Sequence, residues 1–181
     1  MVHNNTRSLI VFINVMMIFY GMAYTSNCFG KDLCINENAN LRCLRENFDD
    51  LYAKNYTIFW KILREAGDAA SECRSYDDID AFLKLSSIRN RNAEFKEYLN
   101  EIIENLTIRK SAIFLDALSR LDDNSIYSVI GLLQRPIFIP IEDIKKVFYK
   151  NRNNKKYKKV MNVYFKKSKE QERNKGRGEK K

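Results

Sequence analysis

A single histidine, His3, stands in a chain of 181 residues, and it precedes the first apolar run. The rest of the chain therefore cannot build Ser-His-Asp or Cys-His nucleophiles, histidine general bases or histidine metal ligands. There is no G-x-G-x-x-G run and no P-loop, so nucleotide binding lacks its usual backbone cradle. Glycine (6) and proline (2) are scarce, which disfavours all-β folds that need many tight turns. The sequence implies no cofactor and no metal. Catalysis by a pair of carboxylates needs only Asp and Glu and stays chemically open, with Glu65, Asp68, Glu72 and the 94–104 acids as candidates.

What the chain does have is ordinary globular apolarity (45% hydrophobic, 30% charged) and an uneven charge. From residue 145 to 181 there are sixteen Lys/Arg against three Glu, a net +13; residues 1–144 carry sixteen against twenty acids, a net −4. Such asymmetry marks an interaction or solubilising segment rather than a feature of the fold.

Arg7 and a start free of acids are followed by an apolar run from Leu9 to Ala23, broken only by Asn14 and Gly21. Gly21-Met22-Ala23 offers small residues for cleavage. This is the signal-peptide pattern, so residues 1–23 are expected to direct export to a periplasmic or secreted location. The alternative is a retained membrane anchor through residues 8–25, although the run is shorter than the roughly 20 residues of a bilayer-spanning helix. Cys28, Cys34, Cys43 and Cys73 follow. An even count after an export signal predicts two disulfides, with three possible connectivities. Their gaps do not fit the closely paired ligands of a four-Cys zinc site.

Beyond an irregular lead-in over 24–37, helical periodicity dominates. Helices are expected over 40–53, from about 55 to 72, and from the Ser75 cap through Ile79, Phe82 and Leu83. Further helices are expected from the Asn92 cap to 106, over 108–121 and 125–135, and from Pro140 through Ile144, Val147 and Phe148. Two of these, 108–121 and 125–135, are apolar around much of their circumference and belong in the middle of a bundle. The fold class is all-α: a compact antiparallel bundle of about six to seven helices over 24–150, with a short HEAT-like stack of helical hairpins as the alternative.

Four features carry the functional expectations. First, residues 151–181 read either as a solvated, disordered tail or as a basic amphipathic helix. Tyr157, Val160, Met161, Tyr164 and Phe165 share one arc, while Lys155, Lys156, Lys158, Lys159, Lys166 and Lys167 take the other. A basic helix with aromatics suits an anionic membrane surface or an envelope polymer; nucleic acid is the poorer fit for an exported chain. Second, Glu94, Glu97, Glu101 and Glu104 form an acidic face that reads as the wet side of an amphipathic helix, or as a dock for a hard cation or a basic partner. Third, Ile137-Phe138-Ile139, between Pro136 and Pro140, reads as a link tucked under the bundle, with exposure for a partner as the alternative. Fourth, Tyr56, Phe59 and Trp60 read as core, with a ligand pocket as the alternative. Together these features predict an exported, non-catalytic binding or accessory protein acting on a protein or cell-envelope partner.

Overall fold

Helix starts follow the capping chemistry of the sequence. The computed structural model describes residues 40–89 and 92–178, with side chains over 41–169. Ser75 Oγ accepts the Asp78 N–H at 3.1 Å, Asn92 Oδ1 the Phe95 N–H at 3.0 Å, and Asp122 Oδ1 the Ser125 N–H at 2.9 Å. Each satisfies a backbone donor that the first turn leaves free. Pro140 is itself the cap residue, one position before the helix it was expected to open.

Among the described residues there are nine α-helices and no strand. They are α1 (Asn40–Glu46), α2 (Phe48–Lys54), α3 (Tyr56–Glu72), α4 (Tyr76–Lys84), α5 (Ala93–Arg109), α6 (Ser111–Arg120), α7 (Asp123–Leu133), α8 (Ile141–Lys150) and α9 (Lys158–Gly178). Short 3-10 turns over Leu85–Ser87 and Lys155–Tyr157 precede α5 and α9. The count exceeds the expected six to seven for two reasons. The helix expected over 40–53 breaks at Asn47, and the segment after 150 adds one more.

The chain divides into two units, residues 1–43 and 44–181. Of the first, only Asn40–Cys43 is described, so the expected signal peptide or anchor lies outside the described residues, as do Cys28 and Cys34. Among the described residues no helix is long and apolar enough to cross a membrane. Cys43 is disulfide-bonded, whereas Cys73 is a free thiol. No disulfide joins two described residues, so the pairing of all four cysteines is corrected at Cys73. Cys73 sits just past α3 as its left-handed cap (φ 56°), and its N–H reaches back to the carbonyls of Ala69 and Ala70.

In the second unit α5 is the hub, in contact with α3, α6, α7 and α8. The hairpin-stack alternative would leave each repeat touching its neighbours alone. Here α4 also meets α7, and α9 meets both α6 and α7, so the helices pack compactly around α5. Phe59, Phe82, Phe95, Phe114 and Phe148 are fully buried, with Leu and Ile side chains filling between them.

The boundary expected at 150 is also corrected. Tyr157, Val160, Met161, Val163 and Tyr164 are buried, and Tyr164 lies flat on Phe148 with ring centroids 3.8 Å apart. Their apolar arc is the one read from the sequence. The bundle, lacking a cover over α6 and α7, takes it up.

Candidate functional site

The stretch from 155 to 169 divides its polar groups between two tasks. One set fastens α9 to the bundle. Lys156 Nζ and the Tyr157 hydroxyl both donate to Asp116 Oδ1 at 2.6 Å. Lys159 Nζ donates to the Leu121 carbonyl at 3.0 Å and pairs with Asp123 at 2.8 Å. Lys167 Nζ donates to the Tyr127 carbonyl at 2.7 Å and lies over its ring. Gln134 Nε2, on the bundle side, donates to the Tyr164 carbonyl at 3.1 Å. The lysine beside Asp116 holds that carboxyl below its ordinary value, and the Tyr157 hydroxyl bond adds to the effect. Burial first, then the same carboxylate, pushes the Tyr157 hydroxyl up to about 12. Of the residues read as an anionic-surface binder, then, Lys156, Lys159 and Lys167 face the bundle, and Tyr157 and Tyr164 are core. Neither tyrosine can stack on an external ligand, because both rings are enclosed.

The other set is turned outward. Lys155, Lys158 and Lys166 are exposed, and Phe165 is half-buried. Between α8 and α9 lies a cleft of about 580 Å³, lined among others by Tyr149, Arg152, Asn162, Phe165, Lys166 and Lys169. Tyr149 is 58% exposed and meets the Phe165 ring edge-on at 5.2 Å; the Arg152 guanidinium stands 5.1 Å over the same ring. Among the described residues no Asp or Glu lines this cleft, and Arg152, Lys166 and Lys169 have no ion-pair partner. Three cations without an ion-pair partner among the described residues thus surround an aromatic floor. The sequence pattern put Phe165 and Lys166 there. Arg152 and Lys169 lie within the basic segment read from the sequence but were not singled out as binding residues, and neither was Tyr149, which joins them only through the turn between α8 and α9.

The acidic face is not a single surface. Glu97 and Glu101 are exposed, and Glu94 Oε2 accepts the hydroxyls of Tyr52 and Tyr56 at 3.2 and 3.1 Å. Glu104 is 1% exposed, a correction to its place on a wet face. Its Oε1 accepts the Ile137 N–H at 2.8 Å, and its Oε2 accepts the N–H groups of Phe138 and Ile139 at 2.9 and 2.8 Å. Three consecutive backbone donors in a link between prolines have no helix to bond to, and the carboxylate supplies what they lack. The same grip corrects the reading of the link as tucked away: Ile137 and Phe138 are 55% and 51% exposed, while Ile139 is half-buried.

Among the described residues no group of three or more His, Cys, Asp or Glu side chains is placed to hold a metal ion. Glu65 and Asp68 are exposed on α3, and Glu72 is paired with Arg74 at 2.6 Å. A different acidic group, Glu46, Asp49 and Asp50, lines an open cleft of about 440 Å³ with Arg45 and Arg89, and Asp50 is paired there with Lys54 at 2.7 Å. Phe59 is buried edge-on against Phe48 and Trp60, and Trp60 against Tyr98, so these rings occupy the space between α2, α3 and α5. No protein-family model, curated protein or solved structure matches the chain.

Proposed function

We propose that this is an exported, non-catalytic binding protein that holds an anionic membrane or envelope surface in the cleft between α8 and α9. The observation that carries the reading is the grouping of Arg152, Lys166 and Lys169, free of acids among the described residues, around the exposed faces of Tyr149 and Phe165. Cations at the rim draw in an anionic surface over a Debye length of about 10 Å. Aromatic rings of this kind settle at the boundary between headgroup and acyl chain. The lack of histidine beyond His3 supports the non-catalytic half, and the pattern over residues 1–23 supports export.

The test is co-sedimentation with vesicles of phosphatidylcholine, with and without phosphatidylserine, at low and high salt. Binding is expected only to the anionic vesicles, and the triple reversal R152E/K166E/K169E is expected to weaken it by about a hundredfold, at about 1 kcal/mol for each basic residue. All three positions are on the surface, so the fold is retained. Equal binding by the variant, or equal binding to both vesicle types, would sink the proposal.

A second reading, a protein partner for the same cleft, is favoured by Asn162 on its wall, which can accept as well as donate.

A further inference from the structure

Two large apolar side chains stand in water on a link that a buried carboxylate holds rigid. Ile137 and Phe138 are each more than half exposed, yet the N–H groups of residues 137–139 are all committed to Glu104. Pro136 and Pro140 restrict the backbone on either side. With its donors spent, this link cannot recruit an added strand; only its side chains are on offer. An apolar pair fixed in one pose is the form of an interface anchor, since little entropy remains to be lost on docking. Its flank is acidic: Glu142 and Asp143 open α8 directly after Pro140. Their partners, Lys145 and Lys146, form exposed ion pairs at 2.8 Å, which hold such carboxylates only weakly. The acidic flank opposes insertion into an anionic bilayer and calls for a basic rim on whatever receives the pair.

The same chain carries such a receptor. A cleft of about 280 Å³ at the C-terminal ends of α3 and α5 is lined by Ser71, Ile102, Asn105, Leu106, Arg109 and Lys110. Ile102 and Leu106 give it an apolar floor, and Arg109 and Lys110 are exposed on its rim with no ion-pair partner among the described residues. Ile102 and Leu106 are each two residues from Glu104, about 200° round the helix at roughly 100° per residue. The cleft therefore lies across α5 from the link, and a chain cannot fill it with its own Phe138. We infer that Ile137 and Phe138 of one copy seat in the α3–α5 cleft of a second copy, with Glu142 and Asp143 against Arg109 and Lys110. The contact is head-to-tail: one copy keeps its cleft free and the other its link, so association runs on beyond the dimer unless the rotation closes a ring.

The experiment is sedimentation velocity of the full chain over a range of concentrations, with F138D on the link side and R109E/K110E on the cleft side. All three substituted positions are exposed, and circular dichroism checks that each variant is folded. The unaltered chain is expected to shift from monomer to dimer and larger species as concentration rises. Each variant alone is expected to associate more weakly by about tenfold or more. A mixture of the two variants is expected to give dimers and nothing longer, because the only intact link and the only intact cleft then lie on different chains. An unaltered chain that stays monomeric throughout overturns the inference. So does a mixture that fails to dimerise, and so does association that F138D abolishes while R109E/K110E leaves it intact, which would assign the link to a symmetric contact. Retention of F138D-sensitive binding by phosphatidylserine vesicles with no self-association would assign it to a membrane and overturns the inference equally.

Discussion

The Glu104 carboxylate has given up water for three backbone N–H groups, and its worth lies in what its loss would strand. Glu104→Ala leaves the donors of Ile137, Phe138 and Ile139 without an acceptor in a half-enclosed link. Removing one side of a buried charged network costs on the order of 3–5 kcal/mol. Glu104→Gln keeps one acceptor and turns a donor toward the others, so its cost is smaller but still measurable. Urea denaturation should rank the unaltered chain above E104Q and E104Q above E104A. Amide exchange at residues 137–139 should accelerate before global unfolding in both variants. Equal exchange in all three proteins would show that the clamp is not what holds the link. This role was not legible in the sequence. Spacing placed Glu104 with Glu94, Glu97 and Glu101, and only the chain's return more than thirty residues later separates it from them. The bracketing prolines were a partial signal, since a link with free N–H groups between helices must find acceptors somewhere.

Cys73 raises a different question at the same scale. Its backbone is left-handed (φ 56°), a conformation that costs an L-residue about 1–2 kcal/mol and that glycine adopts freely. Because Cys73 is a free thiol, Cys73→Gly breaks no bridge. The substitution is expected to raise the thermal midpoint, with a gain of about 1 kcal/mol. A drop in the midpoint would mean that the side chain contributes more than the strain it imposes. At Gly67 the sign reverses. A Cβ there would overlap the Tyr98 hydroxyl, so Gly67→Ala is expected to destabilise by about 1–3 kcal/mol even though alanine favours the helix.

Among the elements, α9 departs furthest from what composition alone conveys. Sixteen basic residues in the last fifth of the chain look like a solvated run, and charge density outweighs the periodic apolar residues in any such reading. The periodicity was the better guide: positions 157, 160, 161 and 164 are all in the core. Deleting the chain after Lys150 therefore does not isolate a tail. It strips at least four buried side chains, worth about 1.5–3 kcal/mol each, a sum comparable with the stability of a whole domain. The truncated chain is expected to lose its cooperative thermal transition, a result that circular dichroism reads directly. A truncated form that melts like the parent would place α9 outside the folding unit. The helices around α5 were legible in type and nearly so in their bounds, through Ser75, Asn92 and Asp122. The break at Asn47 leaves no comparable mark, and the break between α5 and α6, expected at 107, falls at Lys110; both are set by packing rather than by capping.

For the molecule as a whole, the buried tyrosines turn packing into a property of pH. Burial pushes Tyr98, Tyr157 and Tyr164 up to about 12 from an ordinary value of 10.0, with Asp116 adding to the effect at Tyr157. A hydroxyl raised in the folded state contributes stability that is complete below pH 10 and is lost as pH climbs toward 12, since unfolding frees each to ionise at its lower value. Asp116 and Asp122 behave in the opposite sense. Asp116 is held below 3.8 chiefly by Lys156, and Asp122 is held below it by the Ser125 N–H it caps. Their contributions are complete above that value and fade as pH falls under it. The fold should thus be most stable across the neutral range and weaken at both ends. Spectrophotometric titration of the ten tyrosines separates the alkaline limb. Tyr98, Tyr157 and Tyr164 should ionise together with loss of the helical signal between 10 and 12. Because Tyr164 is stacked on Phe148, its ionisation requires α9 to leave α8, so that loss should be cooperative. If Tyr157 and Tyr164 ionised near pH 10 with helicity intact, they could not be enclosed, and α9 would not be part of the core.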